Sequence, residues 1–388
     1  MKYLPRQCQA LLTRLCATFP VTLVVGPRQC GKTTLVRTQL KGHTLIDLER
    51  ARDYQRVVAD IELFLHEQPR GLVIDEAQRC PALFPALRHA VDQQRVPGRF
   101  VLLGSAGPPL LNMAAESLAG RIGMLELTPF TVHESATRWP WHTRWWRGGL
   151  PPLYPLRSED ARTLWLENYV TAFLERDLPV LGVRVPAPRV RQCWTMLAHL
   201  HGQLLNISDL ARAMNMSAPA VLHYLDILER AQMIRRLQPY FANVGKRLTK
   251  RPKLYLRDTG ILHHLAGLRA PHELATWPGR GHSFEGMVIE ELITATRLRH
   301  SAPQFFFWRT QAGAEVDLLI GLGQRLVPVE IKHGIAVSQY DTEGLRHCMQ
   351  DLRITQGYMV TRGDERISLG NGIEILPWRD LVAGKVPW

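Results

Sequence analysis

A chain of 388 residues is too long for one ordinary hydrophobic core, so two or three domains are expected. Hydrophobic residues make up 46% and charged residues 21%, which excludes a disordered chain, and no apolar run approaches a membrane span. The net charge of +13 is uneven: the excess is +7 over residues 1–150, +8 over 151–280 and −2 over 281–388. A basic middle invites an anionic polymer as partner. The six cysteines are scattered with no Cys-x-x-Cys pair, which argues for reduced thiols and against a disulfide scaffold or a zinc site. The opening residues lack the layout of a secretory signal, so the sequence predicts a cytoplasmic protein.

Residues 5–19 have helical spacing, with Leu11, Leu12, Leu15 and Cys16 on one face. The apolar run Val21-Thr-Leu-Val-Val25 then feeds Gly26-Pro27-Arg28-Gln29-Cys30-Gly31-Lys32-Thr33-Thr34, which opens a helix. Strand, glycine-bounded loop and helix in that order make a phosphate-binding loop. Gly26 and Gly31 let successive N–H groups converge on an anion, and the helix adds the positive end of its dipole. Lys32 reaches the β- and γ-phosphates, and the Thr33 hydroxyl is placed to ligate Mg²⁺. Cys30 reads as a tolerated small residue.

Next come a short strand, His43 to Leu48, and a buried one, Gly71-Leu-Val-Ile-Asp75-Glu76-Ala-Gln78, which ends in two carboxylates. Parallel buried strands present their C-terminal ends to the ligand crevice. Asp75 would hold Mg²⁺ through water, and Glu76 would act as general base on the attacking water. Arg99-Phe-Val-Leu-Leu-Gly-Ser105 reads as another buried strand. Ser105 is either a γ-phosphate contact or a turn serine. Arg121, before a final strand-like run, is either a surface residue or an arginine acting on nucleotide in its own or a neighbouring subunit.

With these residues in place the chain resembles the bacterial and archaeal AAA-type ATPases whose C-terminal half is a conserved domain of unknown function. The resemblance rests on Gly26 to Thr34, Leu72-Val-Ile-Asp-Glu-Ala-Gln78, Leu103-Gly-Ser105 and Leu118-Ala-Gly-Arg121. It continues in Gly148-Gly-Leu-Pro151, Leu174-Glu-Arg-Asp177 and Lys253-Leu-Tyr-Leu-Arg-Asp258, nearly end to end. Ala106 departs from it, standing where a second hydroxyl residue is expected. The resemblance implies ATP binding and hydrolysis.

Residues 139–152 are dense in Trp, Gly and Pro and mark a packed connector, with its tryptophans read as an interface ahead of a base-stacking platform. An amphipathic stretch, 158–178, ends in Glu175-Arg176-Asp177, which is either a link to the nucleotide site or a charged turn. Residues 190–201 then form a first helix. Asn206 to Ser208 supplies the cap of a second, and Ser217 caps a third with Val221, Leu222, Leu225 and Leu228 on one face. Arg235, Arg236, Lys246, Arg247, Lys250, Arg251, Lys253 and Arg257 follow with no acidic residue between 235 and 257. This reads as a winged helix with a cationic hairpin suited to phosphate contacts, DNA being bound without sequence reading. The same fold also serves as a protein-contact module.

In the tail, an apolar helix carries Glu285 on its first turn, and strands follow at 305–310, 313–320 and 326–332. Period two puts Glu330 and Lys332 on one face, and Asp317 lies on the adjacent strand. Two carboxylates with a lysine suit metal-dependent phosphodiester hydrolysis and resemble the restriction-endonuclease superfamily motif.

The expected fold is α/β: a P-loop domain with a parallel sheet (1–138), a connector (139–189), a winged helix (190–258) and a small restriction-endonuclease-like α/β domain (259–388). The leading functional expectation is an ATPase, with ATP and Mg²⁺, that acts on DNA. A regulatory ATPase switch whose C-terminal half binds proteins and an ATP-gated nuclease are the alternatives. Homo-oligomers are allowed, and no membrane partner is expected.

Overall fold

The computed structural model describes residues 3–68, 71–105, 107–180, 185–241, 250–338 and 340–388. Ala106, Lys246 and Arg247, singled out above, lie outside them. Strands β1 (Val21–Val25), β2 (Thr44–Asp47), β3 (Leu72–Asp75), β4 (Phe100–Gly104) and β5 (Ile122–Glu126) form one parallel sheet in the order β2-β3-β4-β1-β5. Alternation splits their apolar side chains between two cores. Val21, Leu23 and Val25 join Ile74 and Leu102 on one face, while Val24, Val73, Val101 and Leu103 meet Leu12 and Leu35 on the other. Burial on both faces explains why these strands read as unbroken hydrophobic runs. The sheet points the C-terminal ends of β1, β3 and β4 at one crevice, so the loop after Val25 and the carboxylates after Ile74 converge.

The first helix runs Gln9–Thr18, four residues later than the spacing predicts. The connector helix Trp141–Arg147 packs its tryptophans inward. Trp141 and Trp145 stack at 5.8 Å between centroids, and both meet Phe284 edge-on. These rings therefore make an interface, as expected. The helix Glu159–Ala172 widens into a π-helical turn over Phe173–Asp177. Such turns interrupt the regular ladder and cluster at functional positions.

Three helices follow, Ala187–His199, Ile207–Ala213 and Ala218–Arg230, and then the antiparallel pair β6 (Ile234–Pro239) and β7 (Lys253–Leu256). The caps fall where the sequence puts them. Asn206 accepts from the amides of Ser208 and Asp209, and Ser217 accepts from Ala220, each cap contributing about 1 kcal/mol. Strand β6 continues into the tail by pairing in parallel with β8 (Gln304–Arg309) at Gln238↔Phe306 and Pro239↔Phe307. Together with β9 (Glu315–Leu322), β10 (Arg325–Ile331), β11 (Gly357–Thr361), β12 (Ile367–Ser368) and β13 (Ile373–Pro377) this gives one eight-stranded sheet, β12-β13-β11-β10-β9-β8-β6-β7. A division at residue 258 thus cuts through a shared sheet. Short-range periodicity contains no sign of that pairing, because it joins residues nearly seventy positions apart.

Candidate functional site

The loop from Gly26 to Gly31 turns back on itself through two left-handed residues, Gln29 (φ 61°) and Gly31 (φ 101°). A Cβ at Gly26 would overlap the Leu127 carbonyl, so only glycine allows the loop to lie against the end of β5. Gly31 is the N-cap of the helix Lys32–Gln39. Lys32 Nζ donates to the carbonyls of Gly26 (2.9 Å) and Pro27 (3.2 Å), which places its charge inside the loop's bend. The Thr33 hydroxyl donates to Asp75 Oδ2 at 2.6 Å, joining the two motifs that the sequence separates by 42 residues.

Glu76 follows in a left-handed conformation (φ 54°), which costs a non-glycine residue about 1 kcal/mol and turns its side chain into the crevice. The Gln78 amide donates to its carboxylate. Burial raises the Glu76 carboxyl above the ordinary carboxylate range, and Lys32 pulls it partly back. A raised carboxyl is a stronger base at neutral pH. Ser105, at the end of β4, lines the same cleft as Arg28, Glu49, Glu76 and Asp177.

Two supports hold the loop, the first not foreseen from the sequence and the second one of the two readings of the charged turn at 175–177. Arg6 is buried, paired to Glu134 at 3.0 Å, and donates to the Cys30 carbonyl at 2.9 Å from outside the bend. Arg28 ion-pairs with Asp177 in the π-helical turn and lies 3.7 Å from Glu49, while Arg176 reaches Glu49 at 3.2 Å. The charged turn is therefore a contact to the phosphate loop. Burial raises the Asp177 carboxyl despite the arginine.

Arg121 requires a correction for its own subunit. It precedes Ile122, which pairs with Val21, so it sits a whole strand, roughly 15 Å, from the loop that follows Val25. There it makes a bidentate pair with Asp92 at 2.7 and 2.9 Å.

The basic stretch also differs from expectation. Arg235 pairs with Glu290, Arg236 with Asp226 and Glu229, and Arg257 with Glu290 (3.0 Å) and Glu126 (2.6 Å). Lys253 is buried. These four cations are committed to acidic partners on the helices Ala218–Arg230 and Arg280–Arg299 and on strands β5 and β9. Lys250 and Arg251 are exposed. The glutamates answer in kind: nearby arginines hold Glu126 and Glu290 down to about 2 against the cost of burial. Glu126 is the residue opposite Val25, so this network begins directly beside the phosphate loop.

In the tail, Glu285, Asp317, Glu330 and Lys332 do converge, but an unexpected residue holds their centre. Lys253 Nζ lies 2.9 Å from Glu285 and 3.1 Å from Asp317, and also pairs with Glu315. Tyr255 donates to Glu285 at 2.5 Å, and the Ile331 amide donates to Asp317 at 3.0 Å. Lys332 turns onto Glu330 at 2.9 Å. An ammonium thus occupies the point where paired carboxylates were expected to hold a divalent ion. Among the described residues no group of three or more His, Cys, Asp or Glu side chains is arranged to hold a metal. Glu285 sits on the second turn of its helix, Arg280–Arg299.

Residues 18–136 match the AAA domain family, residues 138–272 a domain of unknown function (DUF8612), and residues 280–381 another (DUF4143). Two curated proteins, Mb2031c of Mycobacterium bovis and Rv2008c of Mycobacterium tuberculosis, both named only as uncharacterized, are each 42% identical over 375 residues. The match covers 96% of this chain and 83% of each relative. This chain belongs to their family. The AAA-type resemblance read from the loop and the carboxylate pair holds for the first domain, and the C-terminal domain of unknown function is present too. Among solved structures, the Walker-type ATPase paby2304 of Pyrococcus abyssi is 18% identical, covering 66% of this chain and 94% of that one, at a TM-score of 0.46. A Thermotoga maritima RuvB variant is 17% identical, covering 60% and 90%, at 0.29. None of the described helices of this family member is long and apolar enough to cross a membrane.

Proposed function

We propose that the chain is an ATP-hydrolysing switch whose first domain reports nucleotide state to its C-terminal half. The observation that carries this is the Thr33–Asp75 hydrogen bond beside Glu76, with Lys32 in the bend of the loop. Lys32 and the loop amides hold the phosphates. Thr33, and Asp75 through water, would hold Mg²⁺, which supplies counter-charge to the triphosphate. Glu76 takes the proton of the attacking water, Gln78 fixes its carboxylate, and Ser105 is within the same cleft to meet the γ-phosphate. Magnesium-dependent release of phosphate from ATP by the purified chain tests the assignment; absence of both binding and release would sink it.

Two contacts support a reporting role. Arg28 belongs to the phosphate loop yet holds Asp177, and Glu126 abuts the loop yet holds Arg257. Phosphate competes with Asp177 for Arg28, so nucleotide state biases the π-helical turn. Replacing Asp177 by Asn is expected to change ATP affinity by a few-fold while cutting the nucleotide-dependent change in hydrogen exchange over 173–199 by at least half. Unchanged exchange behaviour in that variant removes this route.

We read the three helices with β6 and β7 as a winged helix, and the tail as a restriction-endonuclease-like domain that serves as a docking platform. Lys253 at the carboxylate centre weighs against cleavage. DNA contact rests on Lys250 and Arg251, with Lys246 and Arg247 as further candidates. With few phosphates neutralised, a log–log salt slope of about −2 to −4 is expected, and Lys250→Ala/Arg251→Ala should reduce it by about 2. A slope near zero favours a protein partner.

A further inference from the structure

A cavity of about 640 Å³ lies where the connector meets the tail, and it shares no lining residue with the nucleotide crevice. Its size is that of a small-molecule site. Trp139, Trp145, Trp146 and Tyr154 supply aromatic walls, with Trp139 and Tyr154 in contact at 4.4 Å between centroids.

Part of the lining is cationic. Arg280 begins the twenty-residue helix Arg280–Arg299, so the positive end of that helix's dipole lies at the cavity too. Arg362 donates to His333 Nε2 at 3.1 Å, with its guanidinium 5.5 Å from the centre of the Trp141 ring. Neither arginine has a carboxylate within ion-pair distance among the described residues. Among the described residues the Arg280 guanidinium donates to the Ala275 carbonyl, and the Nε of Arg362 is buried without a hydrogen-bond partner. The one acidic residue in the lining, Glu159, is already used by Trp146, Arg147 and Arg162. His333 registers the unbalanced field: burial and the two guanidinium groups push it down to about 4, so it stays a neutral acceptor for Arg362 at pH 7. Buried donors without partners are costly, and neither guanidinium is neutralised by a carboxylate among the described residues.

We propose that this cavity binds a small molecule joining a planar aromatic ring to an anionic group, a carboxylate or a phosphate. The ring lies among the tryptophans, and the anion accepts from Arg280 and Arg362, whose planar donor forks fit both oxyanions. Binding there would clamp the connector (139–156) to the tail.

The full chain carrying Lys32→Ala, which removes competition from the nucleotide loop, would be titrated with AMP and with indole-3-acetate by isothermal titration calorimetry. Adenosine and tryptophol serve as the uncharged counterparts. Saturable binding of at least one anion is expected, about tenfold or more tighter than that of its uncharged counterpart. It should weaken about tenfold in Arg362→Gln and in Arg280→Gln. Response to AMP alone marks a phosphate ligand, response to indole-3-acetate alone a carboxylate, and both uphold the site. No saturable response to either, equal response to the uncharged compounds, or unchanged affinity in both folded arginine variants overturns it. Because the nucleotide loop is disabled throughout, none of these results bears on ATP hydrolysis.

Discussion

Lys32→Ala is expected to abolish ATP hydrolysis and weaken ATP binding by about 100-fold or more, whereas Glu76→Gln should keep binding within about threefold and lose turnover. The two side chains sit 44 residues apart in sequence and do different work. Lys32 is the loop's only ammonium, and its present acceptors, the Gly26 and Pro27 carbonyls, lie on the loop itself. Exchanging those carbonyls for phosphate oxygens converts neutral hydrogen bonds into charge-assisted ones, roughly twice as strong. Removing the ammonium forfeits that gain before any chemistry begins. Glu76 contributes at a later point. Gln keeps its size and its contact with Gln78 but cannot accept a proton, so the loss falls on turnover, by about 10²–10⁴. Burial raises the Glu76 carboxyl, so activity should rise with pH through a midpoint above the ordinary carboxylate range, and that limb should vanish in Glu76→Gln. Equilibrium binding of a fluorescent ATP analogue and phosphate release, measured together, separate the two effects. A Glu76→Gln protein that turns over at the wild-type rate would show that another group takes the proton.

The parts legible in the sequence share one property: they are encoded locally. Strand β1, the loop and its helix occupy nineteen consecutive positions, and the Asn206 and Ser217 caps act within three residues of themselves. What was misread depends on pairings across the chain. Arg235, Arg236, Lys253 and Arg257 look like a solvated basic strip when neighbours are counted along the sequence. Their partners, Glu126, Glu229, Glu285, Glu290 and Asp317, come from four different elements. Arg6 is similar: nothing in Leu4-Pro5-Arg6 points to Glu134 or to the Cys30 carbonyl. A link from Asp177 to the nucleotide site is one of two readings the sequence allows, and the π-helical turn that carries Asp177 to Arg28 decides it. Arg121 went the other way, since a motif-like setting at a strand's start places it at the wrong end of a parallel sheet.

Lys253→Met should destabilise the C-terminal half by about 3–5 kcal/mol at pH 7, because it leaves Glu285 and Asp317 buried without their shared ammonium, whereas Glu315 keeps Arg309. The pH dependence distinguishes this cause from simple loss of packing. In the native cluster Lys253 and the neighbouring donors hold Glu285 down to about 2, even though burial alone would raise it. Its contribution is therefore fully present above the ordinary carboxylate value of 4.5 and is lost as pH falls through about 2. Asp317 runs opposite: burial and the Glu285 charge push it up to about 6 from 3.8. Its contribution is present below 3.8 and is lost as pH rises through about 6. Removing the ammonium takes away the attraction that keeps Glu285 ionised, so both carboxyls then prefer a proton. The deficit of Lys253→Met should be largest above pH 6 and shrink toward pH 4, where protonation relieves the repulsion. Adding Asp317→Asn should recover about half of it, since an amide of the same shape removes one buried charge. Hydrogen exchange over 280–331 at pH 5 and pH 7.5, corrected for intrinsic rates, reads the local stability directly. A deficit that is the same at both values, or below about 1 kcal/mol, would mean that Lys253 is a packing residue and that the carboxylates are stabilised by something other than its charge.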